Sequence, residues 1–376
     1  MTQVLVMCFS QLHKDPRVLR QLAALQGACD VIAAGFSAPA HCASFVPLMA
    51  PKAGLAAKLW QAANMLLGRW RGFYWGQPHI RHARAKLAPL MPQVSCIIAN
   101  DIDTLPLALQ LAQPHGIRVV FDAHEYSPRE FEHSLLWRLF LQRYRMWQCR
   151  RYMPQAGRRV TVNAPIAAAY ARATGADCEV IMNLPPAHAF TPRPTDAHRI
   201  RLIHHGIATA DRDPMPMLEM AKLLEPRFET HFVLVAGDEA LIRRVQAAAQ
   251  GHTRIHFHAP VGYADIVPML HGYDIGFHLL PARNFNHLNA LPNKFFEFIQ
   301  ARLALAISPN PAMAEMVRQL GCGVVAADYT PQAMADAINA LSAEAIDAYK
   351  QASYAAAPQL NENVAAQQWR RWALEG

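Results

Sequence analysis

Two α/β domains, each built on a doubly wound parallel sheet, are predicted by three features of the chain. Short apolar runs rich in Val, Ile and Leu alternate with stretches of helical spacing from one end to the other. Polar side chains gather where apolar runs stop, as at Asn100-Asp101 and from Asp122 to Tyr126, and parallel sheets collect their ligands at such strand ends. The third feature is size: 376 residues, 52% hydrophobic, exceed what one core usually supports.

Val4 to Phe9 is apolar and β-branched enough for a first strand, and after a loop Val18, Leu22 and Leu25 carry helical spacing. A loop in that position lies where ligands bind. His13, Lys14, Asp15 and Arg17 are therefore candidates, with a solvated turn as the plain alternative. Val31 to Ala34 is the next strand. The uncharged stretch from Val31 to Pro51 approaches the length of a membrane span, but Pro39, Pro47 and Pro51 break it, and no transmembrane helix is expected there. The opening residues read as a strand without a basic leader or a small-residue cleavage pattern, so no secretory signal is expected.

Residues 52–90 interleave Trp60, Trp70, Phe73, Tyr74 and Trp75 with Lys52, Lys58, Arg69, Arg71, Arg81 and Arg84. Rings at headgroup depth with cations on phosphates suit an anionic membrane surface, which makes such a surface a candidate partner; aromatics in the core with solvated bases are the other reading. The charge balance agrees with an anionic partner for this half. The first 190 residues hold 20 Lys and Arg against 10 Asp and Glu, and the rest hold 16 against 18. No nucleic-acid-binding pattern accompanies the excess, so nucleic acid is not expected as a partner. Seven scattered cysteines without C-x-x-C spacing point to reduced thiols, with neither a disulfide framework nor a cysteine zinc site. A cytoplasmic protein, peripheral on the inner face of a membrane if residues 52–90 dock there, is the expectation.

Cys96 to Ala99 reads as a buried strand ending at Asn100-Asp101, with a helix starting at Thr104-Leu105-Pro106. Arg118 to Phe121 is another strand, and it stops in Asp122, His124, Glu125 and Tyr126. Leu135 to Tyr152 reads as one long helix that buries Leu136, Leu139, Phe140, Tyr144 and Trp147 and leaves Arg138, Arg143, Arg145, Arg150 and Arg151 largely outside. Pro185, Pro186, Pro192 and Pro194 mark a stiff linker. The expected bounds are an N-terminal domain 1–185, a linker 186–200 and a C-terminal domain 201–359.

The second domain opens on a strand from Arg201 that ends at Gly206, where the missing side chain lets a ligand come close; Arg212 follows six residues on. Thr230 to Ala236 is a buried strand, and two more flank a helix between Arg254 and Pro281. Within Leu291 to Gly323 a helix begins near Pro292, whose ring suits a first turn, and a strand follows at Ala304. Lys294 and Glu297, three apart, share one face of that helix. Free N–H groups and an ammonium in its first turn suit an anion, so the pair offers one group for a diphosphate and one for ribose hydroxyls. A solvated helical ion pair is the alternative.

LPNKFFEFIQARLALAISPNPAMAEMV resembles the donor-binding segment of the family 4 (group 1) retaining glycosyltransferases, which have the GT-B fold. DPRVLRQLAAL, ANDIDTLPLAL and VVFDAHEYSP carry the resemblance into the N-terminal half. It implies two Rossmann-like domains facing across a cleft, the first for the acceptor and the second for a nucleotide-sugar donor. It further implies transfer of a hexose-type unit with retention, without a cofactor or a metal, to a glycan or lipid-linked saccharide of cell-surface polysaccharide synthesis. Lys294 then meets the donor diphosphate with Arg212, Glu297 meets the ribose, and Gly206, Asn293 and Pro260 line the donor site, Pro260 at the nucleobase rim. His124 stands beside the transferred sugar; Arg17, Asp101 and Glu125 lie on the acceptor side. Where the family often carries the first of a pair of glutamates, eight positions before Glu297, this chain has Asn289. The resemblance also implies that the last helix, 360–376, crosses back onto the N-terminal lobe, with packing on its own domain as the alternative. Two other functions remain open: a nucleotide-sugar epimerase of the same architecture, and a non-catalytic scaffold subunit that kept the fold.

Overall fold

The computed structural model describes residues 2–39, 42–51 and 54–374; Lys52 of the basic aromatic segment and the end of the expected last helix, 375–376, lie outside them. The first sheet holds β1 (Gln3–Met7), β2 (Asp30–Gly35), β3 (Ser44–Pro47), β4 (Cys96–Asn100), β5 (Arg118–Ala123), β6 (Arg158–Thr161) and β7 (Glu179–Val180). Their order is β3-β2-β1-β4-β5-β6-β7, parallel throughout. The second sheet holds β8 (Ile200–Ala208), β9 (Phe228–Ala236), β10 (Ile255–His258), β11 (Ile275–His278), β12 (Ala304–Ile307) and β13 (Gly323–Val325). Its order is β10-β9-β8-β11-β12-β13, again all parallel. In both sheets the winding reverses beside the first strand, between β1 and β4 and between β8 and β11. Those reversals are where a doubly wound sheet opens a crevice at its strand ends.

The strands are apolar because helices cover both faces of a parallel sheet. All five residues of β4 are buried, and Leu5, Ile97 and Phe121 on adjacent strands meet in one core. In the second sheet Leu202, Phe232, Phe277 and Ala306 do the same. Gly276 on β11 is part of that packing: a side chain there would fall 2.3 Å from the ring of Phe298, so the helix Asn293–Gln300 is seated directly on the strand.

By contact density the chain separates into two units. One is Met1–Met182, Asn284–Asn286 and Ala365–Gly376; the other is Asn183–Arg283 and His287–Val364. The final helix, Glu362–Leu374, contributes to the first unit: Trp369 and Trp372 are buried, Arg118 donates to the Ala373 carbonyl, and the Arg17 guanidinium lies over the Trp369 ring.

Two local expectations change. The Pro-rich stretch 186–200, expected as a stiff linker, belongs to the second unit, which holds it along its length. Arg302 donates to the carbonyls of His188 and Phe190, while Lys350, buried and paired with Asp274 at 2.6 Å, donates to the Arg193 carbonyl. Nor is Leu135 to Tyr152 one uniform helix. A π turn at Trp137–Leu141 precedes the α-helix Gln142–Tyr152. That wider turn breaks the 3.6-residue phase, so Leu136, Leu139 and Phe140 face solvent while Trp137 is buried and Arg145 turns inward to Asp103.

No described helix is long and apolar enough to cross a membrane. All seven cysteines are free thiols.

Candidate active site

In the first unit β4 and β5 end side by side and bring three acidic or amide groups around one imidazole. Asp101, just past β4, adopts a positive φ of 65°, a backbone state that Asp tolerates better than most residues. His124, just past β5, lies with Nε2 3.2 Å from Asn100 Oδ1 and 3.5 Å from Asp122 Oδ2, and with Nδ1 3.5 Å from Asp101 Oδ1. Burial opposes a charged ring, but Asp101 and Asp122 together outweigh it and raise the His124 pKa to about 9. Burial likewise opposes an ionised Asp122, yet Arg17 and His124 hold its carboxyl down at about 2.

Arg17, expected on the acceptor side, is buried instead. It grips Asp122 through Nε and Nη2, both at 2.6 Å, and donates Nη1 to the Ile181 carbonyl at 2.9 Å. Its role is to fix the carboxylate that fixes His124. Asp101 and Glu125 remain open and line a cavity of about 340 Å³ with His124, Asp103, Glu130, Phe131, Trp137, Arg145 and Tyr170. Burial, with Glu125 nearby, raises the Glu130 carboxyl to about 7. Trp137 Nε1 and Arg145 Nε are buried donors with no hydrogen-bond partner among the described residues, and buried donors are costly to leave unmet. A ligand rich in hydroxyls fits such a wall of donors, carboxylates and rings. Phe131 and Trp137 also belong to a second, apolar hollow of about 440 Å³ lined by Leu136, Phe140 and Leu141.

In the second unit the helix Asn293–Gln300 begins with Asn293, and Lys294 sits in its first turn. Gly206 on β8 has φ 139°, and a side chain added there would stand 2.7 Å from Lys294 Nζ. Glycine is thus what lets the ammonium lie over the strand end. Burial and the nearby Arg212 lower the Lys294 pKa to about 7, although Glu297 works in the other direction. Arg212 is exposed and its guanidinium enters no ion pair among the described residues, since the neighbouring Asp213 pairs with Arg244 instead. Glu297 is buried, its Oε2 3.1 Å from His205 Nε2 in a geometry too poor for a hydrogen bond, which leaves that oxygen unmet. Pro260 lies in the exposed loop after β10, and Asn289 is buried.

Two Asp-x-Asp pairs occur, Asp101 with Asp103 and Asp211 with Asp213. Asp103 of the first is occupied by Arg145, and Asp213 of the second by Arg244. The sequence reading missed His204 and His278, buried histidines at the β8/β11 reversal whose pKa values fall well below normal through burial and the charge of Lys294. Their signal was present as polar residues at the ends of two adjacent apolar runs. Arg145 was expected largely outside and Trp137 was not singled out, because the π turn has no sequence signature.

Residues 215–344 match the family model described as glycosyl transferases group 1, so the resemblance carried by the Lys294 segment holds over that span. No curated protein matches the chain in sequence. Among solved structures, HepE of Anabaena in complex with UDP-glucose is similar at TM-score 0.71 and 14% identity, over 99% of both chains. Sucrose-phosphate synthase of Thermosynechococcus elongatus is similar at TM-score 0.72 and 12% identity, over 99% of this chain and 98% of that one. WaaG, a glycosyltransferase involved in lipopolysaccharide biosynthesis, is similar at TM-score 0.62 and 11% identity, over 99% of this chain and 100% of that one. At such identities the likeness concerns the fold, which is GT-B.

Proposed function

From the match of residues 215–344 to the group 1 glycosyl transferases, we propose that the chain transfers a sugar, with retention, from a nucleotide diphosphate sugar to a lipid-linked saccharide acceptor. The observation that carries this reading is the Lys294 ammonium lying over Gly206 at the β8/β11 reversal, with an unpaired Arg212 close enough to depress its pKa. Two cations and a helix start, offset only in part by Glu297 one turn further in, form a seat for a diphosphate. As the glycosidic bond breaks, negative charge grows on the departing diphosphate, and these fixed groups stabilise it without reorganising. The reading therefore assigns no step to a metal or a cofactor. The unmet Glu297 oxygen accepts from ribose hydroxyls, and Asn293 and Pro260 border the same donor.

HepE was solved with UDP-glucose, with UDP and glucose, and with UDP, which supports a uridine nucleotide as the first donor to try. On the acceptor side, the polar cavity beside His124 accepts the sugar. The adjoining apolar hollow, with Leu135, Leu136, Leu139 and Phe140 exposed around it, accepts a hydrocarbon tail. WaaG's part in lipopolysaccharide synthesis is consistent with a cell-surface glycan as the product.

The test is transfer from radiolabelled UDP-sugars to a panel of lipid-linked and free saccharides, comparing the protein with Lys294→Ala. A fall in kcat of order ~10² is expected if Lys294 acts on the departing charge. An unchanged rate removes Lys294 from the reaction. A donor converted to an isomer of equal mass with no acceptor present identifies an epimerase, and failure to bind any nucleotide sugar identifies a scaffold.

A further inference from the structure

The second unit carries a group of side chains that sugar transfer does not use. Glu229 and His231 are two apart on β9, and His256 and His258 are two apart on β10, so each pair points to one face of its strand. The strands are parallel neighbours with His231 directly opposite His256, which brings all four side chains together. The His231 ring stacks on His256 at 4.7 Å and on His258 at 5.1 Å between centroids. One carboxylate oxygen of Glu229 and one nitrogen each of His231 and His256 lie within 4.8 Å of one another.

The hydrogen bonding points to a ligand. His231 Nδ1 is 2.8 Å from His258 Nε2, so that side of the ring is taken and its tautomer set by a neighbour. The other nitrogen, Nε2, has no hydrogen-bond partner among the described residues, although the residue is only 8% exposed. A ring held by an outer partner through one nitrogen, with the other buried and free, is how proteins present histidine to a metal. Arg199 donates to Glu229 Oε2 at 2.9 Å, which leaves the carboxylate its second oxygen.

We propose that Glu229, His231 and His256 form a binding site for a divalent transition-metal ion, with His258 orienting His231 and water completing the coordination. Two imidazoles and a carboxylate suit zinc, cobalt or nickel rather than calcium or magnesium, which prefer oxygen alone. Metal–ligand bonds of about 2.1 Å draw the three donors closer than they stand in the empty site. The effect is to tie the edge strand β10 to β9 and so to steady the loop after β10, where Pro260 lies. The site is independent of sugar transfer and stands or falls separately from it.

Co2+ is the probe, because its visible spectrum distinguishes nitrogen and oxygen ligands from thiolates and the chain has seven free cysteines. The full-length protein is expected to bind one equivalent with no thiolate charge-transfer band. His256→Ala and Glu229→Gln, both at partly exposed positions, are expected to weaken binding by about tenfold or more. His115→Ala, at an exposed histidine of the first unit, leaves affinity unchanged, and thermal unfolding of each metal-free variant reports that it is folded. Affinity in both site variants unchanged from that of the parent protein, or a spectrum dominated by thiolate, overturns the proposal.

Discussion

His124 carries a proton at neutral pH, because two carboxylates raise its pKa to about 9 against the effect of burial. In the proposed transfer it therefore serves as a cationic donor rather than a base. Lys294 is the opposite case: burial and Arg212 bring it to about 7, so in the free protein it loses its charge on the alkaline side of neutrality. A bound diphosphate favours the charged form and raises that pKa again. Two separable limbs are expected. kcat/KM for donor, which reports the free protein, falls as pH rises through about 7, and Lys294→Arg flattens that limb because guanidinium stays charged. kcat at saturating donor falls only near 9, through His124. Asp101→Asn removes a partner that raises the His124 pKa, so the second limb moves to lower pH while the first stays. A second limb unmoved by Asp101→Asn detaches His124 from the rate. At this scale the sequence was informative wherever an apolar run stops: His124 and Lys294 stand at such boundaries. It named Arg17 as a candidate but not its burial or its partner, since Asp122 is 105 residues away and nothing local distinguishes a buried arginine from a solvated one.

At the scale of elements, the proposed donor seat depends on a residue without a side chain two positions before the end of β8. Gly206 sits at φ 139°, a region that favours glycine, and a Cβ there meets the Lys294 amine at 2.7 Å. Gly206→Ala is therefore strained in backbone and crowded in space. A loss of about 1–3 kcal/mol in stability is expected, together with a donor KM raised more than kcat is lowered, because the displaced ammonium no longer meets the ground-state diphosphate. Denaturant titration and steady-state kinetics measure the two; a variant with unaltered KM would show that Lys294 finds its place without the glycine. Strands and most helices were legible because their periods of 2 and 3.6 are written into single segments. The Trp137–Leu141 π turn was not, since a π turn leaves composition unchanged and only shifts the phase of what surrounds it. That shift turned Leu136, Leu139 and Phe140 outward, and it is the reason an apolar hollow adjoins the polar cavity.

At the scale of the whole molecule, the basic aromatic segment divides into two parts with different roles. Tyr74 is buried with its hydroxyl donating to the Asp103 carbonyl, and Phe73 and Trp70 pack on Tyr144 and Trp147. On the helix Leu55–Leu66 and just after it, Leu59, Trp60, Leu66 and Leu67 remain exposed. A cavity of about 820 Å³ nearby in sequence is lined by Arg71, Arg81, Arg84, Arg118 and Arg151 with no carboxylate. Exposed apolar side chains and a cluster of arginines are what an anionic bilayer surface attracts. Cosedimentation with vesicles containing anionic lipid, lost at high salt and absent with neutral vesicles, is expected; equal binding to both would mean that the arginines take no part.

The final helix lends itself to a test of how the first unit is held together. Trp369 and Trp372 are 3% and 5% exposed and meet edge to face at 5.9 Å. Arg370 donates to the Ala24 carbonyl, and Arg17 rests on the Trp369 ring while holding Asp122. Removing a buried Trp side chain costs about 3–5 kcal/mol, a large share of the 5–15 kcal/mol by which a typical domain is stable. Trp369→Ala is therefore expected to speed amide exchange in β1, β4 and β5, and to lower transfer because Arg17 no longer fixes Asp122 and, through it, His124. Exchange in β8, β9 and β12 should not change, and neither should nucleotide affinity, since none of the groups proposed to hold the nucleotide lies in the first unit. Faster exchange in both sheets together would show instead that the two units unfold as one.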